Sequence, residues 1–253
     1  MISRARPLLG TIVSIRAGAP EQAVAHAFAT IERVHHLMST HADDSDVSRI
    51  NARGHRQAVR VHPWTMRVLR AAVSMSRATG GAFDVTLGAQ GASYADILLL
   101  TGRRVRLKRR ASLDLGGIAK GFAVDLAVAA LKRCGAGAGS VNAGGDLRVF
   151  GKASQSISVR LPGDSSLTAP LLTLRNGACA TSGSYFGSRQ IDARGRRALC
   201  RGYSVTVQAR NCMVADALTK ALAALGPQPD LLRRFNARAY LVDAAGTAYA
   251  PGG

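Results

Sequence analysis

Apolar residues recur along this chain at two spacings, and these spacings predict its secondary structure. Repeats of three or four residues between Val24 and Met38 predict a helix that Pro20 opens. Alternation over Thr11–Arg16 predicts a strand. Similar patterns predict helices from Pro63 and over Ile118–Cys134, Met213–Leu225 and Asp230–Phe235, and strands over Arg103–Leu107, Val141–Phe150, Ile157–Leu161, Leu171–Leu174, Ser204–Gln208, Ala239–Val242 and Thr247–Ala250. Because runs of strands are mixed with single helices, this order predicts an α+β fold of mixed sheets and packed helices.

Length and hydropathy limit how the chain is organised. With 253 residues, 47% of them hydrophobic, it can bury a sizeable core, as a single domain over residues 1–253 or as two closely fused lobes. No run approaches about eighteen apolar residues, so no membrane-spanning helix is expected. The N-terminal segment lacks the apolar region and cleavage site of a signal peptide. The chain as given is therefore expected to be cytoplasmic, or periplasmic if an export signal has been removed.

The formal net charge of +19 is compatible with polyanionic partners such as nucleic acid, anionic lipid or phosphate-bearing ligands. The basic residues are scattered, however, and the only dense run is RRVRLKRR at 103–110. Aromatic residues make up only 5% of the chain, which is little material for a surface that stacks nucleic-acid bases. Nucleic acid is therefore not expected as a partner.

Leu113–Asp125, LDLGGIAKGFAVD, is the most informative segment. Two glycines precede a predicted helix, so free backbone N–H groups would point at whatever lies before it, and Lys120 adds a positive charge in the first turn. This pattern is typical of an anion-binding site, although its spacing matches neither a P-loop nor a G-x-G-x-x-G fingerprint. The alternative is a glycine-rich entry into a packed helix.

Two other glycine-rich segments are less specific. In TGGAFDVTLG, Phe83 and Asp84 follow a helix-ending glycine pair and could flank a flat heterocycle, or they could be a core aromatic and a turn aspartate. In SVNAGGDLRVFG, Gly144 and Gly145 interrupt a predicted strand. Internal glycines indicate either a bulge or the close approach of a ligand, which Asp146 could line.

VADALTKALAALG places two charged residues one turn apart on a predicted helix. Asp216 and Lys220 are four residues apart, a spacing at which side chains meet as an ion pair. Asp216 and Thr219 could instead offer a carboxylate and a hydroxyl to a hard divalent cation that also touches phosphate oxygens.

Taken together and in this order, these segments resemble the ApbE family, the FAD:protein FMN transferases. LLGTIVSIRA is similar to the opening strand of the family, and HHLMSTHADDSDVSRIN (residues 35–51) to a helix exit that leads into an asparagine. TGGAFDVT, LDLGGIAKGFAVD, VNAGGDLRVFG, ATSGSYF (residues 180–186) and ADAL follow in the order of the family. The resemblance covers the chain almost from end to end.

The resemblance implies an α+β fold with FAD in a cleft and a divalent metal, usually Mg²⁺, on the pyrophosphate. It implies transfer of FMN from FAD to a threonine or serine hydroxyl of a target protein, with release of AMP. By position, Lys120 and Asp216 would be catalytic. The residues that would contact FAD are Leu9, His41, Ala82, Phe83, Asp84, Asp114, Lys120 and Ile191. The metal would be held by the Gly117 carbonyl, Asp216 and Thr219.

The sequence departs from the family pattern at several positions. Leu9 replaces a methionine and His41 an aromatic residue, while RQIDARGRR (residues 189–197) takes the place of a His-Ile-x-Asp-Pro segment. The threonine expected four residues after Asp216 is Lys220. Two interpretations follow: the lysine replaces the charge of the metal, or Thr219 shifts in and the metal stays.

Three hypotheses about function follow from these observations. The first is an active FMN transferase. The second is a FAD-binding relative with weak or no transferase activity, such as a FAD carrier or scaffold. The third is a basic protein on this fold that binds nucleic acid or a membrane surface.

Overall fold

The structure, a computed structural model, describes residues 1–162, 164–183 and 202–250. The helices in this part of the chain are α1 (Glu21–Met38), α2 (Asp46–Arg53), α3 (Pro63–Ala78), α4 (Ala119–Arg133), α5 (Cys212–Leu225) and α6 (Pro229–Arg234). The strands are β1 (Ile2–Leu8), β2 (Thr11–Ala17), β3 (Val59–Arg60), β4 (Ile97–Leu100), β5 (Arg104–Leu107), β6 (Gly139–Ala143), β7 (Asp146–Phe150), β8 (Ser154–Leu161), β9 (Asp164–Arg175), β10 (Ala178–Ser182), β11 (Ser204–Ala209), β12 (Arg238–Val242) and β13 (Ala248–Tyr249).

The main sheet is antiparallel, with eight described strands in the order β1-β2-β6-β7-β10-β11-β12-β13. Strands β3, β5 and β4 form a second sheet, and β8 and β9 pair as a separate ribbon. Helices α1, α4 and α5 pack side by side, and α4 and α5 lie on the central strands of the main sheet. Helices on an antiparallel sheet make an α+β architecture, which confirms the fold class predicted from the order of elements.

The buried faces follow the sequence periodicity. In α1, the residues buried against the rest of the core include Val24, Phe28 and Ile31, as their spacing predicts. Buried side chains from Val13 in β2 to Leu241 in β12 belong to one contiguous hydrophobic core. None of the helices in the described ranges is long and apolar enough to cross a membrane.

The dense basic run at 103–110 is explained by alternation along a half-buried strand. In β5, the arginines Arg104 and Arg106 are exposed, whereas Val105 and Leu107 are buried in the core. Charged residues that alternate with apolar ones on a strand are the ordinary solvated face of a sheet.

One strand prediction was wrong. Residues 141–150 are not one strand with a bulge but the hairpin β6–β7, and Gly144 and Gly145 form its turn with φ angles of +63° and +102°. These left-handed angles favour glycine because it has no Cβ. The sequence patterns also missed β1, α2, β3, β4 and β10, each of which is eight residues long or shorter and therefore too short to show a clear hydrophobic period.

Candidate functional site

Two loops meet in front of α4. The backbone N–H of Asp114 donates to the carbonyl of Val85 at 2.8 Å, which ties the loop before α4 to the loop that follows α3. The ring of Phe83 lies over Gly117, since a Cβ added to that glycine would come within 3.4 Å of the ring Cε2. The structure therefore brings Phe83, Asp114 and Gly117 together, as the sequence resemblance implied.

Asn51, at the end of α2, fixes the loop before α4 in place. Its side chain accepts a hydrogen bond from the N–H of Leu113 at 2.7 Å and donates to the carbonyl of the same residue at 3.0 Å. Two bonds from one amide to one peptide unit set both the position and the orientation of the strand-like segment that leads to the glycines. The asparagine that the resemblance singled out is therefore a positioning residue.

Helices α4 and α5 approach each other closely at the start of α4. A Cβ added to Gly121 would lie 2.3 Å from the carbonyl oxygen of Cys212 and 2.8 Å from the N–H nitrogen of Met213. The N–H of Gly121 also donates to Asp216 Oδ2 at 3.0 Å. A carboxylate from α5 thus satisfies a donor in the first turn of α4, where negative charge is favoured by the helix dipole.

The start of α5 is held in turn by Asp125 of α4, a residue that sequence reasoning missed. One of its carboxylate oxygens accepts from the N–H of Cys212 at 2.9 Å, and the other from the N–H of Met213 at 3.0 Å. Arg148 of β7 pairs with the same carboxylate at 2.6 Å. Cys212 and Met213 are 87 and 88 residues from Asp125 in the sequence, so no local sequence pattern predicts this contact.

Two lysine–aspartate pairs stand at the junction of these helices and β7. Lys120 Nζ lies 2.7 Å from Asp146 Oδ2, and Lys220 Nζ lies 2.5 Å from Asp216 Oδ1. The aspartate side chains are 1% and 0% exposed, whereas the lysine side chains are 32% and 33% exposed. The carboxylates are therefore buried beneath the ammonium groups, and the outer face of this four-residue cluster is positive.

Burial and mutual charge shift the acid–base equilibria of the cluster. Burial, followed by the negative charge of Asp216, raises the pKa of Asp146 to about 6, although Lys120 and Lys220 oppose the shift. Burial alone would lower the pKa of Lys120, but the carboxylates of Asp146 and Asp216 hold it above its ordinary value. Lys120 therefore remains a cation at neutral pH.

Asp216 and Thr219 do not offer a donor set that fits a divalent cation. Both oxygens of Asp216 have partners, in the Lys220 ammonium and the Gly121 N–H. The Thr219 hydroxyl donates to the backbone carbonyl of Asp216 at 2.7 Å and shares a hydrogen bond of 2.8 Å with Ser182. No group of three or more His, Cys, Asp or Glu residues within the described ranges could hold a metal.

The ammonium of Lys220 makes the fit worse. At an effective dielectric constant near 20, two unit charges about 4 Å apart interact by about 4 kcal/mol, so the ammonium repels a divalent ion by about 8 kcal/mol and offsets the attraction of similar size from the Asp216 carboxylate. The Mg²⁺ site implied by the resemblance therefore does not match the residues that this chain places around Asp216.

Asp84 organises its own loop. Its Oδ1 accepts from the N–H of Thr86 at 2.9 Å and from the hydroxyl of Thr86 at 3.0 Å, while Oδ2 accepts from the N–H of Tyr94 at 2.7 Å. The turn aspartate that the sequence left open as an alternative is thus present. A contact between Asp84 and FAD stays a prediction, for which Oδ2 retains one lone pair.

The other sequence-predicted residues lie around this centre or outside the described residues. Leu9 is half-buried, has a φ of +56° and lies in the turn between β1 and β2. This turn is close to the β6–β7 turn, since a Cβ added to Gly144 would lie 2.5 Å from the Thr11 hydroxyl. Ala82 is buried, and His41 is exposed between α1 and α2. Ile191 lies outside the described residues, together with RQIDARGRR and the last three residues of ATSGSYF.

Comparison with known proteins gives consistent results. The ApbE family model matches residues 9–96 and 90–244. The FAD:protein FMN transferase of Vibrio cholerae serotype O1 is 26% identical over 239 residues, which cover 78% of this chain and 72% of that protein. The enzyme of the same name from Rhodobacter capsulatus is 32% identical over 166 residues, 60% of this chain and 32% of that one.

Solved structures agree in fold. The ApbE protein of Thermotoga maritima superposes with a TM-score of 0.84 at 26% identity, covering 98% of this chain and 96% of that one. The flavin transferase ApbE from Vibrio cholerae superposes with a TM-score of 0.85 at 23% identity over the same shares of the two chains, a likeness that bears on the fold alone.

Proposed function

This chain belongs to the ApbE family, and on that premise we propose that it is a FAD:protein FMN transferase. It binds FAD as substrate and moves the FMN half to a threonine or serine hydroxyl of a target protein. We propose that residues 1–253 form one such domain, which is supported by the single large core that most buried apolar residues of the described ranges share, beside one small separate cluster. The observation that carries the proposal is the positive outer face of the lysine–aspartate cluster beside Phe83, at the glycine-rich start of α4.

That face suits a pyrophosphate flanked by an aromatic ring system. Each ammonium has three N–H donors and uses one on its aspartate, so Lys120 and Lys220 keep donors for phosphate oxygens. The two ion pairs place both partly exposed ammonium groups at defined positions, where they can meet adjacent phosphate groups. Phe83 and the Gly117 backbone form the adjoining apolar surface, where the flavin end of FAD is expected.

The transfer itself is a substitution at phosphorus. The oxygen of the target hydroxyl forms a bond to the phosphorus on the FMN side of the pyrophosphate, and the bond from that phosphorus to the bridging oxygen breaks. AMP leaves with the electron pair, and the hydroxyl proton passes to water or to the released AMP. Lys120 lowers the barrier by stabilising the negative charge that grows on the pyrophosphate oxygens, and Asp146 positions it from below.

Asp216 has a positioning role in the same reaction. Its bond to the Gly121 N–H fixes the first turn of α4, and its ion pair fixes Lys220, so that both lysines face the same side. Lys120 therefore contacts the substrate directly, and Asp216 holds Lys120 and Lys220 in their positions.

The first experiment asks whether FAD binds and whether Lys120 contacts it. Replacing Lys120 alone would leave the buried Asp146 without its partner and reduce stability, so the informative variant is the neutral pair Lys120→Met/Asp146→Asn. We expect the purified wild type to bind FAD and the double variant to bind it at least about tenfold more weakly. Lys132→Met, an exposed lysine in the last turn of the same helix, is the matched control and should bind normally.

The second experiment tests transfer. Wild-type protein is incubated with FAD and a candidate acceptor protein, and the acceptor is weighed by mass spectrometry for an FMN adduct while AMP is quantified. FAD binding without adduct or AMP, over a panel of acceptors, would replace the transferase proposal by the FAD carrier hypothesis. Equal FAD affinity in the wild type and the double variant would remove Lys120 from the site.

A further inference from the structure

We infer that the ammonium group of Lys220 takes the place of a divalent cation in this protein, so that FAD binds, and FMN is transferred, without a metal. The inference rests on the proposed function for the identity of the ligand. Two observations in the structure support it. The groups around Asp216 do not match the oxygen ligands that a divalent ion requires, and Lys220 lies beside Asp216, where the resemblance expects the metal.

Both carboxylate oxygens of Asp216 already have hydrogen-bond partners within the chain. Its Oδ1 is 2.5 Å from Lys220 Nζ, and its Oδ2 is 3.0 Å from the N–H of Gly121. Mg²⁺ demands near-octahedral oxygen ligands and gives up its own waters reluctantly. A carboxylate that is 0% exposed and bonded on both oxygens offers it only the remaining lone pairs, which lie beside the Lys220 ammonium or the Gly121 N–H.

The hydrocarbon chain of Lys220 passes beside Gly117, the residue whose carbonyl is the second expected ligand. A Cβ placed on Gly117 would lie 3.6 Å from Lys220 Cγ and 4.0 Å from its Cε, so the hydrocarbon chain runs past this glycine on its way to Asp216. The lysine side chain therefore runs from beside Gly117 to the Asp216 carboxylate, where its ammonium is a cation that is covalently part of the chain.

The third expected ligand points elsewhere. The Thr219 hydroxyl is 0% exposed and is bonded to the carbonyl of Asp216 at 2.7 Å and to Ser182 at 2.8 Å. Moving it to a metal would break the second of these bonds, which joins α5 to β10. The interpretation in which Thr219 shifts in to complete a metal site therefore needs a rearrangement of a packed helix, whereas the lysine needs none.

What the lysine supplies is charge and donors at a fixed place. Its side chain is 33% exposed, so the ammonium faces outward while its carboxylate partner is buried. It supplies one positive charge where a divalent ion would supply two, and it stands beside the charge of Lys120. Unlike a bound ion, these charges cannot be removed by a chelator and do not depend on the concentration of metal.

The test measures FAD binding by the full-length protein in EDTA and in excess magnesium. Wild-type affinity should differ by less than about twofold between the two buffers. Lys220→Thr removes the ammonium and places a hydroxyl where the family pattern has one. This variant should bind FAD at least about tenfold more weakly in EDTA and recover in magnesium. Lys152→Thr, the same change at an exposed residue, should behave as the wild type.

Manganese binding gives a readout that needs neither FAD nor activity. We expect no Asp216-dependent Mn²⁺ bound to the wild type by electron paramagnetic resonance, and about one ion per chain bound to Lys220→Thr. If Lys220→Thr fails to fold because it leaves the buried Asp216 charge unpaired, the neutral variant Asp216→Asn/Lys220→Met replaces it. That variant should bind FAD weakly in both buffers.

Several results would overturn the inference. Wild-type FAD affinity that falls about tenfold in EDTA and returns with magnesium would show that a metal is needed. One Mn²⁺ bound to the wild type and lost in Asp216→Asn would show that the site holds metal despite Lys220. Failure of the wild type to bind FAD in either buffer would contradict the proposed function instead, and the Mn²⁺ titration would still decide the inference.

Discussion

Gly121→Ala tests whether the contact between α4 and α5 builds the site. Alanine is the better helix former by about 1 kcal/mol, so helix propensity alone predicts a more stable protein. The structure predicts the opposite, because the new Cβ would lie 2.3 Å from the Cys212 carbonyl oxygen and 2.6 Å from its carbonyl carbon. These are backbone atoms at the start of a packed helix, which cannot rotate away as a side chain can.

The magnitude follows from two losses and one gain. Overpacking of a close contact costs about 1–3 kcal/mol, and the upper end applies where backbone must move. Separating the helices also weakens the Gly121 N–H bond to Asp216, and hydrogen bonds to charged groups contribute about 1.5–3 kcal/mol. With about 3 kcal/mol lost to overpacking, up to about 3 kcal/mol lost from the weakened hydrogen bond and about 1 kcal/mol gained in propensity, we expect a net destabilisation of roughly 2–5 kcal/mol. For a domain of this size, that lowers the midpoint of thermal unfolding by on the order of 10 °C.

The assay is urea and thermal unfolding followed by circular dichroism, with FAD binding measured below the transition. Gly137→Ala is the matched control: Gly137 is exposed, has no neighbour within 4 Å of an added Cβ, and does not adopt a left-handed φ. It should change stability by less than about 0.5 kcal/mol. A Gly121→Ala variant as stable as the wild type would refute the close packing of the two helices and, with it, the derivation of how Asp216 is positioned.

Two further predictions concern buried carboxylates. The pKa of Asp146 is raised to about 6 in the folded protein, so between about pH 4 and 6 the folded state holds a proton that the unfolded chain has lost. As the pH rises through this window, the free energy of unfolding of the wild type should fall relative to that of Asp146→Asn, by up to about 3 kcal/mol. A difference that stays constant with pH in urea titrations would contradict the shift. Asp125→Ala removes the acceptor for two N–H groups at the start of α5 and should lower the free energy of unfolding by about 2–3 kcal/mol. The control Asp43→Ala, on an exposed loop, should leave it almost unchanged. Equal unfolding midpoints for the two variants would disprove the capping role.

Local patterns in the sequence determined five of the six helices in the described ranges and the fold class. The apolar face of α1, the proline that opens α3 and the glycine that closes α5 depend on residues within one or two turns. The Asp216–Lys220 ion pair is equally local, since four residues on a helix bring two side chains together. The glycines before α4 likewise predicted an anion-binding site at the start of that helix, which stays a prediction.

The tertiary structure alone decided which charged side chains of the candidate site are buried and which are partly exposed. Lys120 was predicted to meet an anion, but its pairing with Asp146 depends on β7 passing beside α4, and Asp216 reaches the Gly121 N–H across 95 residues of chain. Whether the strand at residues 141–150 carried a bulge or a turn depended on its pairing, since glycine permits both. Sequence periodicity reports contacts within an element, whereas the burial of these carboxylates beneath the lysines results from how elements far apart in the chain pack together.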